Sequence, residues 1–542
     1  MISDFATRVL KIAKKNVPAR CRIGKSRYDG ADSTSRPIKR SGGGQKMRIS
    51  WFLAGVCGLC AAAMAESPSL PFQVIVNSEQ SYNALPNGFG GAQMVVGEGG
   101  KVAMNAVDPS GINPIIVYYS AGKLSTVADG TIMGQSGFES LSLSGNSSGG
   151  TRLTFAGINS AQTGVGVFQY DVDSSSMNQL ADDGLGGLSM PSSINGQNLR
   201  VNAAGQVIFS AVGNDGSGSI LVGDSSAATG HQLTTLFTSD TWTTSTPGSY
   251  NFALSQLAIS ASGTTGLATL ATPANTDNAA IYTMSGGTPA YLCGTSQGFD
   301  VPGLLAAQQT GAVNAVLFLG PDTNVAHQED YVLHDSSGNH LLGSYDNTVP
   351  QHGGVGAEMT TTGKLAFFLA NPNGDTLQYY DVTTHSQTQI ASTLTGDNAV
   401  VDPASPSAHY VISSFETHAP MINNNGIVIF DAEITGSTGT NQALLEWQPG
   451  GGAPIILLQA GDVIPALVTE PGTGVIDDDG MFIMTGDIFA DSLSDDNYLG
   501  VDVSYDGGNQ AALLVQLPEP TTLALLPVAS LALLRRRQRT AG

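Results

Sequence analysis

The octapeptide Asn202-Ala203-Ala204-Gly205-Gln206-Val207-Ile208-Phe209 recurs as Asn423-Asn424-Asn425-Gly426-Ile427-Val428-Ile429-Phe430, so both read N-x-x-G-x-x-x-F. Residues 360–367 repeat the pattern with Thr for Asn, and residues 477–484 with Asp for Asn and Met for Phe. Asn, Asp and Thr side chains can bond their own backbone two residues on, and Gly takes the positive φ that closes a tight turn. The alternation that follows places Val207 and Phe209, and likewise Val428 and Phe430, toward a common core. The turn residues predicted in this way are Asn202, Gly205, Phe209, Gly363, Phe367, Asn423, Gly426, Phe430 and Gly480.

The turn glycine recurs along the whole body of the chain. It stands at intervals of 45 to 63 residues, at Gly100, Gly150, Gly205, Gly266, Gly311, Gly363, Gly426 and Gly480. Further apolar stretches around each glycine give about four antiparallel strands per unit. Units of this length are typical of propeller blades, since solenoid coils have shorter periods. Residues 66–517 are therefore predicted to form an all-β fold, a β-propeller of about 7–8 four-stranded blades.

Three points of this architecture stay open on the sequence alone. The units at Gly266 and Gly311 fit poorly, so seven blades plus an irregular insertion is the rival to eight. The segment Phe72–Asn77 is a candidate for the strand that closes the ring. Tandem β-sandwiches are disfavoured because each such domain needs about 100 residues.

The N-terminal region has the order of a secretory signal peptide over residues 47–65. Met47-Arg48 opens a short basic segment, residues 51–60 are apolar, and Ala63-Met64-Ala65 forms an A-x-A cleavage site before Glu66. Residues 1–46 are strongly basic without apolar periodicity, and we interpret them as an over-extended start with Met47 as the initiator. A long basic n-region is the alternative.

The C-terminal residues 518–542 form a second processing segment. Pro518-Glu519-Pro520 leads into the apolar run 521–534, which is followed by Arg535, Arg536 and Arg537. A run of this length spans a bilayer poorly, since about 20 apolar residues are needed, and the arginines would hold its end on the cytoplasmic side. The arrangement resembles the PEP-CTERM sorting signal of exosortase substrates.

That resemblance implies recognition of the Pro518-Glu519-Pro520 tripeptide by an exosortase-like processing enzyme and later removal of the tail. It also implies an exported protein at the cell-envelope surface or outside the cell, held transiently in the inner membrane by a single C-terminal hydrophobic helix. Exopolysaccharide is a further partner that it suggests. The repeat is also similar to a tandem N-x-x-G-x-x-x-F repeat in exported bacterial proteins, a likeness that supports the fold only.

The region between the two segments is strongly acidic. Residues 66–517 hold forty acidic and five basic side chains, a net charge near −35. Without a basic patch to neutralise phosphates, the body excludes nucleic acid and anionic membranes as partners. Cys57 and Cys60 fall inside the signal peptide and Cys21 in the leader, so Cys293 alone remains and no internal disulfide is expected.

Candidate chemistry is sparse. Residues 145–149 satisfy G-x-S-x-G, but a strand is predicted after them where a hydrolase needs a helix, so no nucleophile is assigned. No two of the eight histidines have the spacing of a metal-ligand motif, and we expect them to lie in loops; they are His231, His327, His334, His340, His352, His385, His409 and His418.

The acidic clusters match no calcium motif, which favours solvated turn carboxylates over loose calcium binding; they are Asp171-x-Asp173, Asp182-Asp183, Asp477–Asp479 and the run from Asp487 to Asp496. Trp447 is expected to be buried and Trp242 to lie in an exposed loop.

The sequence therefore predicts no catalytic, cofactor-binding or metal-binding residue. The leading hypothesis is a non-enzymatic, exported β-propeller of the cell surface or extracellular matrix. Two alternatives stay open: an extracellular glycan-active hydrolase or lyase, and a module that binds glycans or calcium.

Overall fold

The computed structural model describes Leu70 and residues 72–518 with internal gaps, the longest of which are 190–198, 239–256, 294–302 and 478–492. The chain divides into two units, Met1–Ala65 and Glu66–Gly542, and every described residue belongs to the second. The predicted leader, the signal peptide with Ala63, Ala65 and Glu66, and the sorting segment from Glu519 onward lie outside the described residues.

The described chain folds into eight antiparallel sheets, numbered here as blades 1 to 8. The first strand, β1 (Gln73–Asn77), belongs to blade 8. Blade 1 contains β2 (Ala92–Gly97), β3 (Lys101–Ala106), β4 (Ile115–Ser120) and β5 (Lys123–Asp129). Blade 2 contains β6 (Gln135–Gly145), β7 (Thr151–Asn159), β8 (Val165–Asp171) and β9 (Ser176–Ala181). Blade 3 contains β10 (Leu188–Ser189), β11 (Arg200–Val201), β12 (Val207–Gly213), β13 (Gly218–Gly223) and β14 (Leu233–Thr238). Blade 4 contains β15 (Ala258–Ile259), β16 (Gly266–Thr272), β17 (Asn275–Met284) and β18 (Ala290–Cys293).

The second half continues in the same order. Blade 5 contains β19 (Gly303–Gln309), β20 (Asn314–Pro321), β21 (Gln328–Asp335) and β22 (Gly338–Asp346). Blade 6 contains β23 (Ala357–Met359), β24 (Lys364–Leu369), β25 (Thr376–Asp381) and β26 (Ser386–Ser392). Blade 7 contains β27 (Ala399–Val400), β28 (Tyr410–Phe415), β29 (Met421–Ile422), β30 (Val428–Gly436), β31 (Gly439–Trp447) and β32 (Ile455–Gln459). Blade 8 contains β33 (Tyr498–Tyr505) and β34 (Asn509–Gln516), together with β1.

The blades form a closed ring. Inner strands of successive blades touch along the series β2, β6, β11, β15, β19, β23 and β29, and β33 of blade 8 packs beside β2 of blade 1. The buried apolar side chains fall into eight clusters, one between each pair of neighbouring blades. The predicted all-β propeller is therefore confirmed with eight blades, and the rival count of seven is wrong.

The two ends of the ring meet in blade 8. Strand β1 pairs antiparallel with β34, from Gln73 opposite Leu514 to Asn77 opposite Ala511. Val76 is fully buried in the apolar cluster between blades 8 and 1. The N-terminal strand thus supplies the outer strand of the last blade, which confirms the predicted closing segment.

The predicted turns at Gly205, Gly363 and Gly426 join a short inner strand to the longer strand beside it, β11 to β12, β23 to β24 and β29 to β30. Gly205, Gly363 and Gly426 have φ of 77°, 79° and 80°. In blade 3 the Asn202 Oδ1 atom accepts the backbone N–H groups of Ala204 at 3.1 Å and Gln206 at 2.9 Å. The aromatic side chains that follow these turns, Phe209, Phe367 and Phe430, are fully buried. Val207 and Phe209 share one apolar cluster, as do Val428 and Phe430.

Two blades place this turn elsewhere than predicted. In blade 4 the turn spans Ser260–Gly263 with φ of 67° at Gly263, and Gly266 lies in β16. In blade 8 the Asn497 N–H bonds the Ser494 carbonyl at 3.1 Å, and Asn497 takes the left-handed φ of 68°. The glycine pattern misses this turn because asparagine also tolerates the left-handed conformation, so no glycine is needed.

Asp477, the predicted start of the blade 8 turn, has a different role. Its carboxylate accepts the N–H groups of Gly507 at 2.8 Å and Gly508 at 2.9 Å, in the turn between β33 and β34. Gly480 and Gly311 lie outside the described residues.

Neighbouring turns are bonded to one another on one face of the ring. The Asn202 Nδ2 atom donates to the Ser260 carbonyl at 2.9 Å, joining blades 3 and 4. The Asn423 Nδ2 atom donates to the Ser494 carbonyl at 3.1 Å and to Asn497 Oδ1 at 2.8 Å, joining blades 7 and 8. Further links are Lys101 Nζ to Thr151 Oγ1 (2.8 Å), Gln169 Nε2 to the Gly205 carbonyl (2.7 Å), Thr362 N to Asn424 Oδ1 (3.0 Å) and Gly99 N to Asp496 Oδ2 (2.6 Å).

Helix is scarce in the part of the chain that the structure describes, as the predicted all-β fold requires. The described residues contain one short helix, α1 (Gly130–Met133), and one 3₁₀ turn at Pro465–Leu467. Within the described part of the chain, no helix has the length and apolar content needed to cross a membrane.

Candidate functional site

One carboxylate and two imidazoles meet at the boundary of blades 5 and 6. Asp335 is the last residue of β21, and a tight turn brings the chain back so that His340 lies in β22. His385 lies in the corresponding turn of blade 6, between β25 and β26, with φ of 52°. An aspartate at the start of each turn stabilises it. Asp335 accepts the N–H of Ser337 at 2.7 Å in blade 5, and Asp381 accepts the N–H of Thr383 at 2.9 Å in blade 6.

The three side chains are close enough to share one ion. The His340 Nε2 atom lies 3.2 Å from Asp335 Oδ1, and the His385 Nδ1 atom lies 3.8 Å from Asp335 Oδ2. One ligand atom from each residue lies within 4.8 Å of the other two. The two imidazole rings overlap with centroids 4.5 Å apart.

Polar neighbours surround this group. The Ser337 hydroxyl donates to Asp335 Oδ1 at 2.7 Å and lies 2.9 Å from His340 Nε2. The Tyr380 hydroxyl lies 3.1 Å from His385 Nδ1. The Asp335 side chain is 7% exposed, whereas those of His340 and His385 are 28% and 42% exposed. The carboxylate of this group is therefore buried, whereas its two imidazoles are open to solvent.

The environment keeps Asp335 ionised and Tyr380 neutral at neutral pH. Burial acts to raise the pKa of Asp335, but the hydrogen bonds from Ser337 and His340 outweigh it and hold the pKa below its usual value. The pKa of Tyr380 is raised by burial and by the charges of Asp335 and Asp381. At neutral pH Asp335 is thus available as an anionic donor, whereas the Tyr380 oxygen remains a hydroxyl.

The sequence does not predict this group, since its histidines are 45 positions apart and have the pattern of ordinary loop residues. The expectation of loop histidines holds for His327 and His409, which are exposed, while His231 and His352 lie outside the described residues.

One feature of the sequence does set His385 apart from an ordinary turn residue. Tyr170-Asp171-Val172 and Tyr380-Asp381-Val382 begin equivalent turns in blades 2 and 6, and aligning them shows that His385 stands where blade 2 has Ser175.

A second group of titratable side chains lies where the inner strand of blade 7 is interrupted. Strands β28 and β29 both pair with β30, and Glu416 and His418 lie between them. The His418 Nδ1 atom is 2.7 Å from Asp431 Oδ2, and Asp431 Oδ1 is buried without a hydrogen-bond partner among the described residues. Burial raises the pKa of Asp431, and the hydrogen bond to Asp431 raises that of His418. The pKa of Glu416 is raised by burial and by the charges of Asp431 and Glu433.

Asp502 is a third buried carboxyl, in β33 of blade 8. Its Oδ2 atom accepts the Ala92 N–H at 2.8 Å from the inner strand of blade 1, and its Oδ1 atom has no partner in the described chain. Burial raises its pKa to about 7. Between about pH 4 and 7, Asp502 is therefore protonated in the folded state and ionised in the unfolded state. The free energy of unfolding consequently falls as pH rises through this window.

We accordingly expect Asp502→Asn to stabilise the fold at pH 8, because the amide keeps the acceptor for Ala92 and removes the buried charge. The gain in the free energy of unfolding should exceed about 1.4 kcal/mol, the equivalent of one pKa unit. Urea unfolding of both proteins at pH 8 and pH 4 checks this. The difference should vanish at pH 4, and an equal difference at both pH values would contradict the role given to the charge.

The remaining sequence candidates are structural or lie outside the described residues. Asp171 and Asp173 accept backbone N–H groups of Ser174 (3.0 Å) and Thr151 (3.1 Å), which fits the predicted turn carboxylates. Ser147 of the G-x-S-x-G match and Trp242 are not among the described residues. Trp447 is buried, as predicted, and packs against Tyr379.

Comparison with known proteins gives a likeness at the level of architecture. No protein-family model matches the chain, and no curated protein matches it. The β-propeller domain of the Trilobed protease from Pyrococcus furiosus is 12% identical with a TM-score of 0.38, covering 68% of this chain and 98% of that one. A prolyl endopeptidase is 9% identical with a TM-score of 0.39, and the match covers 74% of this chain but only 56% of the endopeptidase. An oligogalacturonate lyase, solved in complex with manganese, is 10% identical with a TM-score of 0.36, covering 70% of this chain and 98% of the lyase. Likenesses this distant carry no argument about activity.

Proposed function

We propose that the chain is an exported, non-enzymatic β-propeller of the bacterial cell surface or extracellular matrix, sorted by an exosortase-like system. The observation that carries the proposal is the position of the ring between its two predicted processing points. Strand β1 begins at Gln73, shortly after the predicted cleavage before Glu66, and β34 ends at Gln516, just before Pro518. Removal of both signals would leave every strand of the ring in place.

The junction with the sorting segment supports release over permanent anchoring. Leu517 is buried, and its N–H bonds the Asn497 carbonyl at 2.8 Å, so the chain is attached to the ring up to the residue before Pro518. A retained membrane helix would hold a ring of net charge near −35 directly against anionic lipid, which repels it. In this proposal signal peptidase and an exosortase-like enzyme are the processing partners, exopolysaccharide is the surface partner, and the membrane is contacted only before processing.

Replacing Pro518-Glu519-Pro520 by three alanines is expected to leave the tail uncut and the protein in the inner-membrane fraction. The cause is loss of the recognised tripeptide, since β34 ends before these residues. Cell fractionation and intact mass measure the outcome, and replacing the exposed Gln516 by alanine serves as the control. Unchanged processing and location of the tripeptide variant would refute the sorting assignment.

A glycan-active enzyme is the second candidate, favoured by the Glu416–His418–Asp431 group. A carboxyl group whose pKa is raised by burial can donate a proton near neutral pH, and acid catalysis of glycoside cleavage uses such a group. Screening the exported protein on polysaccharides separates the candidates, because turnover that disappears in Glu416→Gln would establish the enzyme and refute the non-enzymatic proposal.

A further inference from the structure

We propose that Asp335, His340 and His385 form a binding site for a divalent transition-metal ion of the Zn²⁺ class, which joins blades 5 and 6. This inference does not depend on how the protein is sorted or on whether it is an enzyme. It rests on the kind of donor atoms, their separations and the groups that orient them.

The donor set selects a class of ion. Two imidazole nitrogens and one carboxylate suit Zn²⁺, Co²⁺, Ni²⁺ and Cu²⁺, whereas Ca²⁺ and Mg²⁺ require shells made mostly of oxygen. Three protein ligands with a fourth position left open is also the arrangement of accessible zinc sites. The site thus differs in chemistry from the loose calcium sites that acidic loops offer.

The distances fit the first coordination shell of such an ion. Zinc binds nitrogen and oxygen at about 2.0–2.2 Å, so neighbouring ligand atoms of a tetrahedron lie about 3.3–3.6 Å apart. The His385 Nδ1 atom lies 3.8 Å from Asp335 Oδ2, close to that value, and one ligand atom of each of the three residues lies within 4.8 Å of the other two. Side-chain rotations that draw these atoms closer together would place all three donors on one ion.

The ligands are also held by surrounding groups. Both the N–H and the hydroxyl of Ser337 donate to Asp335 Oδ1, at 2.7 Å each, which leaves Oδ2 free to turn toward the ion. The Tyr380 hydroxyl lies 3.1 Å from His385 Nδ1, the nitrogen that would bind the ion, so it gives up this contact when the ion binds and can then orient a bound water. Outer hydrogen bonds such as those from Ser337 to the carboxylate typically fix metal ligands in position. The exposed side of His385 gives the ion a path from solvent.

The site can be tested by titrating the full-length chain with ZnCl₂ at pH 7.5 in a calorimeter. We expect one tight binding step per chain above the weak binding of an acidic protein. His340→Ala and His385→Ala should each weaken that step at least tenfold, and the double variant should lose it. His334→Ala, adjacent to the site but bonded to Asn339 at 2.6 Å, and His409→Ala, exposed in blade 7, should bind as the parent does.

Two further readouts separate ligation from damage to the fold. Co²⁺ should give a visible absorption band with the parent chain and with His334→Ala but not with the double variant, and Ca²⁺ should displace neither ion. Added Zn²⁺ should raise the melting temperature of the parent but not that of the double variant, because only the parent binds the ion in its folded state. Absence of a tight step in the parent chain, or equal binding by the parent and the double variant, would overturn the proposal.

Discussion

Val76→Asp should unfold the ring or reduce its free energy of unfolding by about 5 kcal/mol, the largest single effect that we expect in this protein. Val76 is fully buried in the apolar cluster between blades 8 and 1, and its strand is the outer strand of blade 8. A carboxylate there must be desolvated without a partner, or β1 must detach from β34. Either outcome opens the ring at its closure, and urea unfolding with limited proteolysis measures it.

Gln73→Asp is the matched control because it adds the same charge to the same strand at an exposed position. Its side chain contacts the Tyr119 hydroxyl, so a cost of less than about 1 kcal/mol is expected. Equal losses in the two variants would show that added charge on β1 matters and that closure by a buried strand does not.

Asn423→Ala should lower the free energy of unfolding by about 3 to 4 kcal/mol, because four buried or half-buried hydrogen bonds are worth about 1 kcal/mol each. The Asn423 Oδ1 atom accepts the N–H groups of Asn425 and Ile427, both at 3.1 Å. Its amide donates to Ser494 and Asn497 of blade 8. One side chain thus closes its own turn and attaches it to the next blade.

Asn423→Ser separates these two roles. Blade 8 shows that a serine closes the turn, since Ser494 Oγ accepts the Tyr498 N–H at 2.9 Å. The serine variant should therefore keep the turn, lose the link to blade 8 and cost about half as much as alanine. Asn424→Ala, at a half-buried neighbour whose side chain donates to Asp495 and accepts the Thr362 N–H at the surface, should cost about 1 kcal/mol or less. Chemical denaturation measures all three, and equal losses for serine and alanine would mean that the inter-blade bonds carry the whole effect.

The sequence predicts the fold well wherever a backbone conformation requires a particular residue type. The turns at Gly205, Gly363 and Gly426 require a positive φ, so their glycines mark the blades directly. The ring closure by residues 73–77 follows from an otherwise unpaired apolar strand. The turns at Ser260 and Ser494 do not match the pattern because serine can replace asparagine as the acceptor, and because asparagine can replace glycine at the left-handed position.

The candidate metal centre could not be predicted in the same way. Its ligands come from hairpins of two blades, and whether those hairpins meet depends on the packing of β21 and β22 against β25 and β26. Spacing along the chain contains no such information, since ligand motifs are readable only when one local element carries them. The buried carboxyls of Asp431 and Asp502 are hidden for a related reason, since nothing in the composition distinguishes them from the other acidic residues of the body.

The pairing of β1 with β34 also constrains how the protein is made. Ser78 and Gln510, which share a hydrogen bond at this seam, are 432 positions apart. A chain synthesised from its N terminus presents β1 first and its partner last, and pairings of such long range form slowly. The nascent protein must therefore keep β1 unpaired until translation is nearly complete, with an open sheet edge that invites pairing with other chains. Chaperone demand and aggregation during synthesis should consequently depend on the final strand, so that chains ending before Asn509 remain unclosed however well their other blades have folded.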